Sequence, residues 1–300
     1  MTENIGFIGL GIMGRPMALN LLKGGHRLWV HARRPESMEP LVQAGAMPCR
    51  TPAEVAERTD VIFTMVSDTP DVEEVILGEN GVLAGARAGA VVVDMSTISP
   101  TATVRIARRL AEAQVHMLDA PVSGGERGAI DGTLSIMAGG KPEVFERMQP
   151  LFELLGKNIV HIGDHGAGQI TKACNQLVIA QTVAAVAEAF ALATAAGVDP
   201  VRVRQALLGG FANSRVLEVH GQRMLERNFT PGFKARLHQK DMRIALETAQ
   251  QLGIAAPGTA LATQYINALV GAGHGELDSS AMAMIIERLA NVTIGAPADS

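Results

Sequence analysis

The sequence predicts an α/β half followed by an all-α half. Three observations carry this. In the first half, short apolar runs alternate with helical patterns, and strand–helix–strand repetition implies a doubly wound, mostly parallel sheet. Several of those runs, Val91-Val92-Val93 among them, are apolar without alternation, as strands are when both sheet faces are covered. The texture then changes after Gly163–Gly168. From Gln169 to Ala196 the chain is rich in Ala and free of Gly and Pro, enough for a helix of roughly 42 Å at the usual rise per residue.

In order, Asn4–Gly9 reads as a strand and Met13–Gly24 as a helix. Arg27–His31 is a strand, Glu36–Ala44 a short helix, Asp60–Val66 a strand and Pro70–Leu77 a helix. Ala90–Met95 is the next strand, followed by the helix Pro100–Ala113 and the strands Val115–Ala120 and Thr133–Ala138. The helix Pro142–Leu155 and the strand Asn158–Ile162 complete this half. Ser99 before Pro100 reads as an N-cap with proline at the first helical position. Beyond the long helix every segment reads helical: Pro200–Leu208, Ser214–Glu226, Phe233–Leu252, Pro257–Val270 and Ser279–Ala290. Asp199 before Pro200 and Gly253 after Leu252 supply the start and stop signals. The expected organisation is therefore an α/β domain over 1–164, an all-α domain over 165–294 that opens with the long helix, and a tail over 295–300.

The composition narrows the function. The 300 residues carry 26 Lys and Arg against 30 Asp and Glu, for a net charge of -4. Such a chain has no general attraction to phosphate backbones or anionic lipid, so neither nucleic acid nor a membrane is an expected partner. Aromatic residues make up 3%, too few for stacking platforms, and a site built from backbone amides and a few polar side chains is expected instead. Cys49 and Cys174 cannot form a disulfide framework, and the apolar run Ile5–Leu10 is too short for a signal peptide or a span. A cytoplasmic protein is expected.

Gly9-Leu10-Gly11-Ile12-Met13-Gly14 has the GxGxxG form between a strand and a helix. The first Gly permits the tight turn, the second admits a pyrophosphate to the backbone, and the third lets helix and strand pack closely. The helix N-terminus adds unpaired N–H groups and partial positive charge. A dinucleotide cofactor follows. At the end of the second strand, where an acid would bind the ribose of NAD, the chain has His31-Ala32-Arg33-Arg34. Two arginines suit a 2′-phosphate, so NADPH is favoured over NADH; solvated surface charge is the plainer reading of the same pair. Thr97, after the fourth main strand, is expected near the nicotinamide. Ser123-Gly124-Gly125 can expose consecutive N–H groups to an anion such as a carboxylate, or form a plain turn. Lys172 and Asn175, three apart, share one helix face; the plain reading of Lys172 is a packed stem with a solvated head. Phe233 and Lys240-Asp241 belong to another helix and are candidates to complete the site. No HExxH, CxxC or GxSxG pattern occurs, so no catalytic metal is expected.

Taken together, Gly6–Gly14, Asp119–Gly125, Gly166-x-Gly168-x-x-x-Lys172-x-x-Asn175 and Lys240-Asp241 resemble the β-hydroxyacid dehydrogenase family over nearly the whole chain. The resemblance implies a Rossmann domain joined by the long helix to an all-α domain. It also implies reversible, NAD(P)-dependent chemistry on a small carboxylate-bearing aldehyde or β-hydroxyacid. Read onto matching positions, it makes Lys172 the catalytic lysine. Ser123, Gly124, Gly125 and Asn175 become substrate binders, with Phe233 expected beside them. The Gly9–Gly14 turn, Thr97 and Lys240 become cofactor contacts, beside Arg33 and Arg34, expected at the 2′-phosphate, and Val66, expected at the cofactor. Within the family, Ser67–Val75, Gly132–Met137, Gly209–Ala212, Glu218–Gly221 and Leu237–Asp241 resemble the members that reduce a small aldehyde. Ala32 departs from the acid of NAD-preferring relatives. The long Ala-rich helix and the apolar helices after it point to a homodimer or homotetramer. A non-catalytic NADPH-binding module is the rival from another class, and Lys172 argues against it.

Overall fold

The computed structural model describes residues 2–295 and divides into two units, one ending at Lys172 and the other beginning at Ala173. The expected tail beyond Gly295 lies outside the described residues.

In the first unit the order is β1 (Asn4–Ile8), α1 (Gly14–Lys23), β2 (Arg27–His31), a 3-10 turn Pro35–Ser37, α2 (Glu39–Gln43), β3 (Met47–Pro48), α3 (Pro52–Arg58), β4 (Val61–Thr64) and α4 (Thr69–Leu77). Then come α5 (Val82–Gly85), β5 (Val91–Asp94), α6 (Pro100–Glu112), β6 (His116–Asp119), β7 (Val122–Ser123), α7 (Gly125–Asp131), β8 (Leu134–Gly140), α8 (Pro142–Phe152), β9 (Gly156–Gly163) and the start of α9 (Ala167–Ala195). The strands form one sheet in the order β3-β2-β1-β4-β5-β6-β8-β7, with β9 paired to β8. Its pairings are parallel except where β8 runs antiparallel to β6 and β7.

The continuous apolar runs of β4 and β5 are buried throughout. Alternate residues go to opposite faces. Ile5, Phe7, Val61, Phe63, Val91 and Val93 join one core, while Ile8, Ile62 and Val92 join the other. Both faces are covered, as the unalternated runs predict. Phe7 and Phe63 stack across β1 and β4 with ring centroids 6.0 Å apart.

Three differences from the sequence reading have local causes. The expected helix over residues 36–44 breaks into the 3-10 turn and α2, with Pro40 fixed near its start. The short elements β3, α3 and α5 are additional, although Thr51, whose side chain accepts from the Glu54 amide at 3.1 Å, caps α3 as an ordinary N-cap. Ser123 and Gly125, read as one turn, divide between the end of β7 and the start of α7.

The second unit holds the rest of α9, then α10 (Pro200–Leu208), α11 (Arg215–Leu225), α12 (Ala235–Gln251), α13 (Pro257–Leu269), a π-helical turn Val270–His274, a 3-10 turn Ser279–Met282 and α14 (Ala283–Ala290). No named strand occurs among its described residues. Asp199 caps α10 through the Val201 amide at 2.8 Å. In α9, Ala180, Val183, Ala184, Ala187, Phe190 and Ala191 form a buried stripe at helical spacing. They pack with Leu217, Met224, Met242 and Ile266. By length and mean hydropathy (1.8) α9 could also cross a membrane; the stripe is what a core helix presents.

Candidate functional site

The site candidates of the first unit share one line of register. Ile8 pairs with His31 and with Thr64, Thr64 with Asp94, and Asp94 with Asp119. This row closes the carboxyl ends of five neighbouring parallel strands, the edge where open α/β sheets bind ligands. Gly9–Gly14, Arg33 and Arg34, Val66, Thr97 and Ser123–Gly125 all follow this row within a few residues. The topology therefore brings together segments that are far apart in the chain.

The glycine turn discriminates between its three glycines. Gly9 has φ +96°, and a Cβ there would lie 2.3 Å from the Met65 carbonyl oxygen; at Gly14 a Cβ would lie 1.9 Å from the Gly9 carbonyl oxygen. Those two are demanded by the chain itself. A Cβ on Gly11 meets nothing within 4 Å, so space is open above the turn at the position where a pyrophosphate needs it. α1 has no side-chain cap and no acidic residue in its first turn, which leaves its amides suited to an anion. The residues present fit a dinucleotide.

Around the turn, Ala32 is buried while Arg33 and Arg34 are exposed. Arg33 lies 3.7 Å from Asp71. The Val66 amide donates to Ser96 Oγ at 2.9 Å. The Thr64 hydroxyl donates to Asp94 Oδ1 at 2.8 Å, and the Ser96 amide reaches the same oxygen at 3.2 Å. The segments carrying Val66 and Thr97 are thus tied to each other beneath the surface. Ser99 caps α6 through the Ala102 amide, as its sequence position implies.

Gly124 (φ +140°) and Gly125 (φ +61°) turn the chain out of β7; Gly124 is exposed and Gly125 half-buried. Just upstream, Asp119 is fully buried. Its Oδ1 accepts from the Gly166 amide at 2.8 Å and its Oδ2 from the Gln169 amide at 3.0 Å. Burial pushes this carboxyl up to about 7 and the nearby Asp94 adds to the rise, against the lowering effect of the backbone amides. Gln169 in turn accepts from the Ile98 amide at 3.1 Å and donates to the Ser96 carbonyl at 2.8 Å. Gly168 is pressed against the sheet, where a Cβ would lie 2.3 Å from the Met137 carbonyl oxygen and 2.7 Å from that of Asp119.

Along α9, Gln169, Lys172 and Gln176 are buried at the i, i+3, i+7 spacing of one helix face, and Asn175 lies beside them. Lys172 is 7% exposed. That sets aside the reading of a packed stem with a solvated head. In the second unit, Asn175 Nδ2 donates to Gln176 Oε1 at 2.7 Å and Gln176 Nε2 donates to Asp241 Oδ2 at 2.6 Å. Lys240 Nζ lies 3.0 Å from Asp241 Oδ1. This chain uses the Asn175 amide nitrogen as a donor, and its carbonyl oxygen can serve only as an acceptor. Phe233 packs on His238, ring centroids 5.5 Å apart, and its amide donates to Asp278 Oδ2 at 3.1 Å.

The sequence reading passed over Thr64, Asp94, Gln169 and Gln176. A charged residue closing the apolar run Val91-Val92-Val93-Asp94, and polar residues every three or four positions in the Ala-rich helix, were the available signals. Among the described residues no group of three or more His, Cys, Asp or Glu is placed to hold a metal ion.

Residues 4–163 match the NAD binding domain of 6-phosphogluconate dehydrogenase. Residues 166–286 match the family described as NAD-binding of NADP-dependent 3-hydroxyisobutyrate dehydrogenase. The 2-hydroxy-3-oxopropionate reductase of Escherichia coli (strain K12) is 53% identical over 96% of this chain and 98% of its own length. The solved structure of Mycobacterium tuberculosis 3-hydroxyisobutyrate dehydrogenase with L-serine matches with a TM-score of 0.87 at 32% identity, covering 95% of this chain and 99% of that one. A structure of Psf3 in complex with NADP+ and 2-OPP matches with a TM-score of 0.87 at 25% identity, covering 94% and 99%.

Proposed function

The chain belongs to the β-hydroxyacid dehydrogenase family, NAD(P)-dependent enzymes acting on CH–OH groups, and from that premise we propose that it reduces tartronate semialdehyde (2-hydroxy-3-oxopropionate) to glycerate, reversibly. The observation that carries the substrate is the 53% identity to a 2-hydroxy-3-oxopropionate reductase across almost the full length of both chains.

The proposed chemistry uses few groups. A bound, reduced nicotinamide supplies the hydride for the aldehyde carbon. The amides of Ser123 to Gly125 hold the substrate carboxylate, as exposed consecutive N–H groups do. The Asn175 carbonyl oxygen accepts from the substrate hydroxyl, the polarity set by its bond to Gln176. Lys172 gives a proton from Nζ to the aldehyde oxygen as negative charge develops there, so that one C–H and one O–H bond form together. General acid help of this kind is worth roughly 10²–10⁴-fold. In the reverse direction Lys172 takes the proton back. Phe233 contributes an apolar contact to the substrate, and Lys240 a charge to the cofactor. Ala32, with Arg33 and Arg34 exposed beside it, favours NADPH over NADH.

A steady-state assay of the purified protein tests this. With tartronate semialdehyde, kcat/KM is expected at least about tenfold above that for methylmalonate semialdehyde, a ratio within reach of modest pocket differences, and higher with NADPH than with NADH. Lys172→Ala is expected to lose about 10²–10⁴-fold in kcat while NADPH still binds. Preferred oxidation of 3-hydroxyisobutyrate or L-serine would keep the family and replace the substrate. Wild-type turnover in Lys172→Ala would remove the lysine from the mechanism.

A further inference from the structure

Asp119 belongs to the strand that leads into Ser123-Gly124-Gly125, and Gln169 precedes Lys172 by three residues on the same helix face. We propose that Asp119 and Gln169 form a positioning joint that sets Lys172 against the substrate and cofactor loops; the proposal rests on Lys172 being the proton donor.

A helix leaves its first four amides without partners, and side chains beside the helix start usually satisfy them. Here the partner is remote. Asp119 lies 47 residues before Gly166 and 50 before Gln169. Both its oxygens are engaged with those two amides at the start of α9, so neither amide can shift without breaking a buried bond. Gln169 repeats the device toward a second segment, accepting from the Ile98 amide and donating to the Ser96 carbonyl on either side of Thr97. Two side chains therefore link three pieces of backbone: the strand end that continues to Ser123, the loop that carries Thr97, and the turn of helix that carries Lys172. The glycines close the joint sterically. A Cβ on Gly139 would lie 2.7 Å from Asp119 Oδ1, and one on Gly168 would lie 2.8 Å from Oδ2.

A purely structural role fits these observations poorly. Burying a carboxyl is costly unless it is well bonded, and the hydrogen bonds to the Asp119 side chain among the described residues come from the Gly166 and Gln169 amides. Replacing buried charge with well-packed apolar groups often stabilises a fold. The carboxyl does something an apolar group does not. It accepts two N–H bonds in one fixed geometry and so sets where α9 begins. Displacements near 1 Å at a reacting group can cost about 10²-fold in rate, which is the scale on which such a joint matters.

The test compares Asp119→Asn, Gln169→Ala and, as a control, Thr51→Ala, which removes the cap of α3. The readouts are kcat, KM for NADPH, and amide hydrogen exchange over residues 166–172. Asp119→Asn presents an NH2 group to one of the two amides. Its kcat is expected to fall about 10- to 100-fold with KM for NADPH within about twofold, on the scale of misplaced reacting groups, and exchange over 166–172 is expected to accelerate. Gln169→Ala, a milder lesion that covers the case in which Asp119→Asn does not fold, shifts the same readouts in the same direction. Gln169→Glu, which retains the acceptor for Ile98, recovers part of kcat. Thr51→Ala leaves kcat unchanged. Wild-type kcat in both Asp119→Asn and Gln169→Ala overturns the proposal, as does a kcat loss without faster exchange over 166–172. If Lys172→Ala itself retains turnover, the proton-donor reading has failed, and the exchange data alone then decide whether the joint exists.

Discussion

Asp119 in the first unit and Asp278 in the second solve one local problem by opposite electrostatics. Both are almost completely buried, and both use two oxygens to satisfy backbone amides where the chain changes direction. Asp278 Oδ2 takes the Gly232 amide at 2.9 Å and the Phe233 amide at 3.1 Å, while Oδ1 takes the Ser280 amide and hydroxyl. Asp278 also has a cation beside it, Arg223 at 3.0 Å, and His220 Nδ1 lies at 3.3 Å. Burial works against its charge. Hydrogen bonds from His220 and Ser280 outweigh that and hold its carboxyl well below the usual range. At Asp119 burial, with Asp94 adding to it, outweighs the backbone amides, and the carboxyl is pushed up to about 7. Burial opposes the charge in both places; the hydrogen bonds from His220 and Ser280 outweigh it at Asp278, and the backbone amides do not outweigh it at Asp119.

The comparison can be broken most severely at the glycines beside each carboxylate. Gly168→Ala places a Cβ 2.3 Å from a backbone carbonyl oxygen, which cannot rotate away. A loss of about 3 kcal/mol or more is expected, at the severe end of overpacking, seen as a lowered urea midpoint or as failure to fold. Asp278→Ala comes next. It strips acceptors from the Gly232 and Phe233 amides, and buried donors left unpaired cost about 1–3 kcal/mol each. A loss of roughly 3 kcal/mol should appear in urea unfolding at neutral pH.

The pH dependence sharpens the contrast, because the two groups have opposite signs. The folded state holds the Asp119 proton up to about 7, whereas the reference value is 3.8. The stability linked to Asp119 therefore falls as pH rises from about 4 to 7. Asp278, lowered, contributes fully above its reference value of 3.8 and loses that contribution as pH falls below it. The stability deficit of Asp119→Asn relative to wild type should accordingly shrink between about pH 4.5 and 7, while that of Asp278→Ala stays level. A deficit for Asp119→Asn that is flat with pH would contradict the raised carboxyl. The smallest effect is Gly232→Ala. Its Cβ meets the Arg223 Nη2 at 3.1 Å, the far end of a flexible side chain, and a change within about 0.5 kcal/mol is expected.

Much of the molecule was legible because it depends on neighbours in the chain. The glycine turn, the cap at Ser99, the start at Asp199-Pro200 and the extent of α10 follow from propensities and capping within a few residues. Elements too short to show a period, such as β3 and α5, carried no such signal. Asp119 stands in the stretch that runs to Gly125, yet nothing near it in sequence says that Gly166 and Gln169 are its partners. Asp278 gives the same lesson. Its bonds to Ser280 follow from a two-residue spacing, while those to Gly232 and Phe233, about 45 residues upstream, do not.

The amino-acid sequence by itself determined the alternation of strands and helices, the covered sheet faces, the phosphate-binding turn and the helical second half, since these arise from short-range sterics and hydrophobic period. Only the tertiary structure decided that Thr64, Asp94 and Asp119 align at one sheet edge and that one carboxylate holds the start of the helix bearing Lys172. It also decided that Gln176 joins Asn175 to Asp241. Those facts depend on strand order and on packing between segments tens of residues apart, where each hydrogen bond forms only after the chain has brought its two ends together.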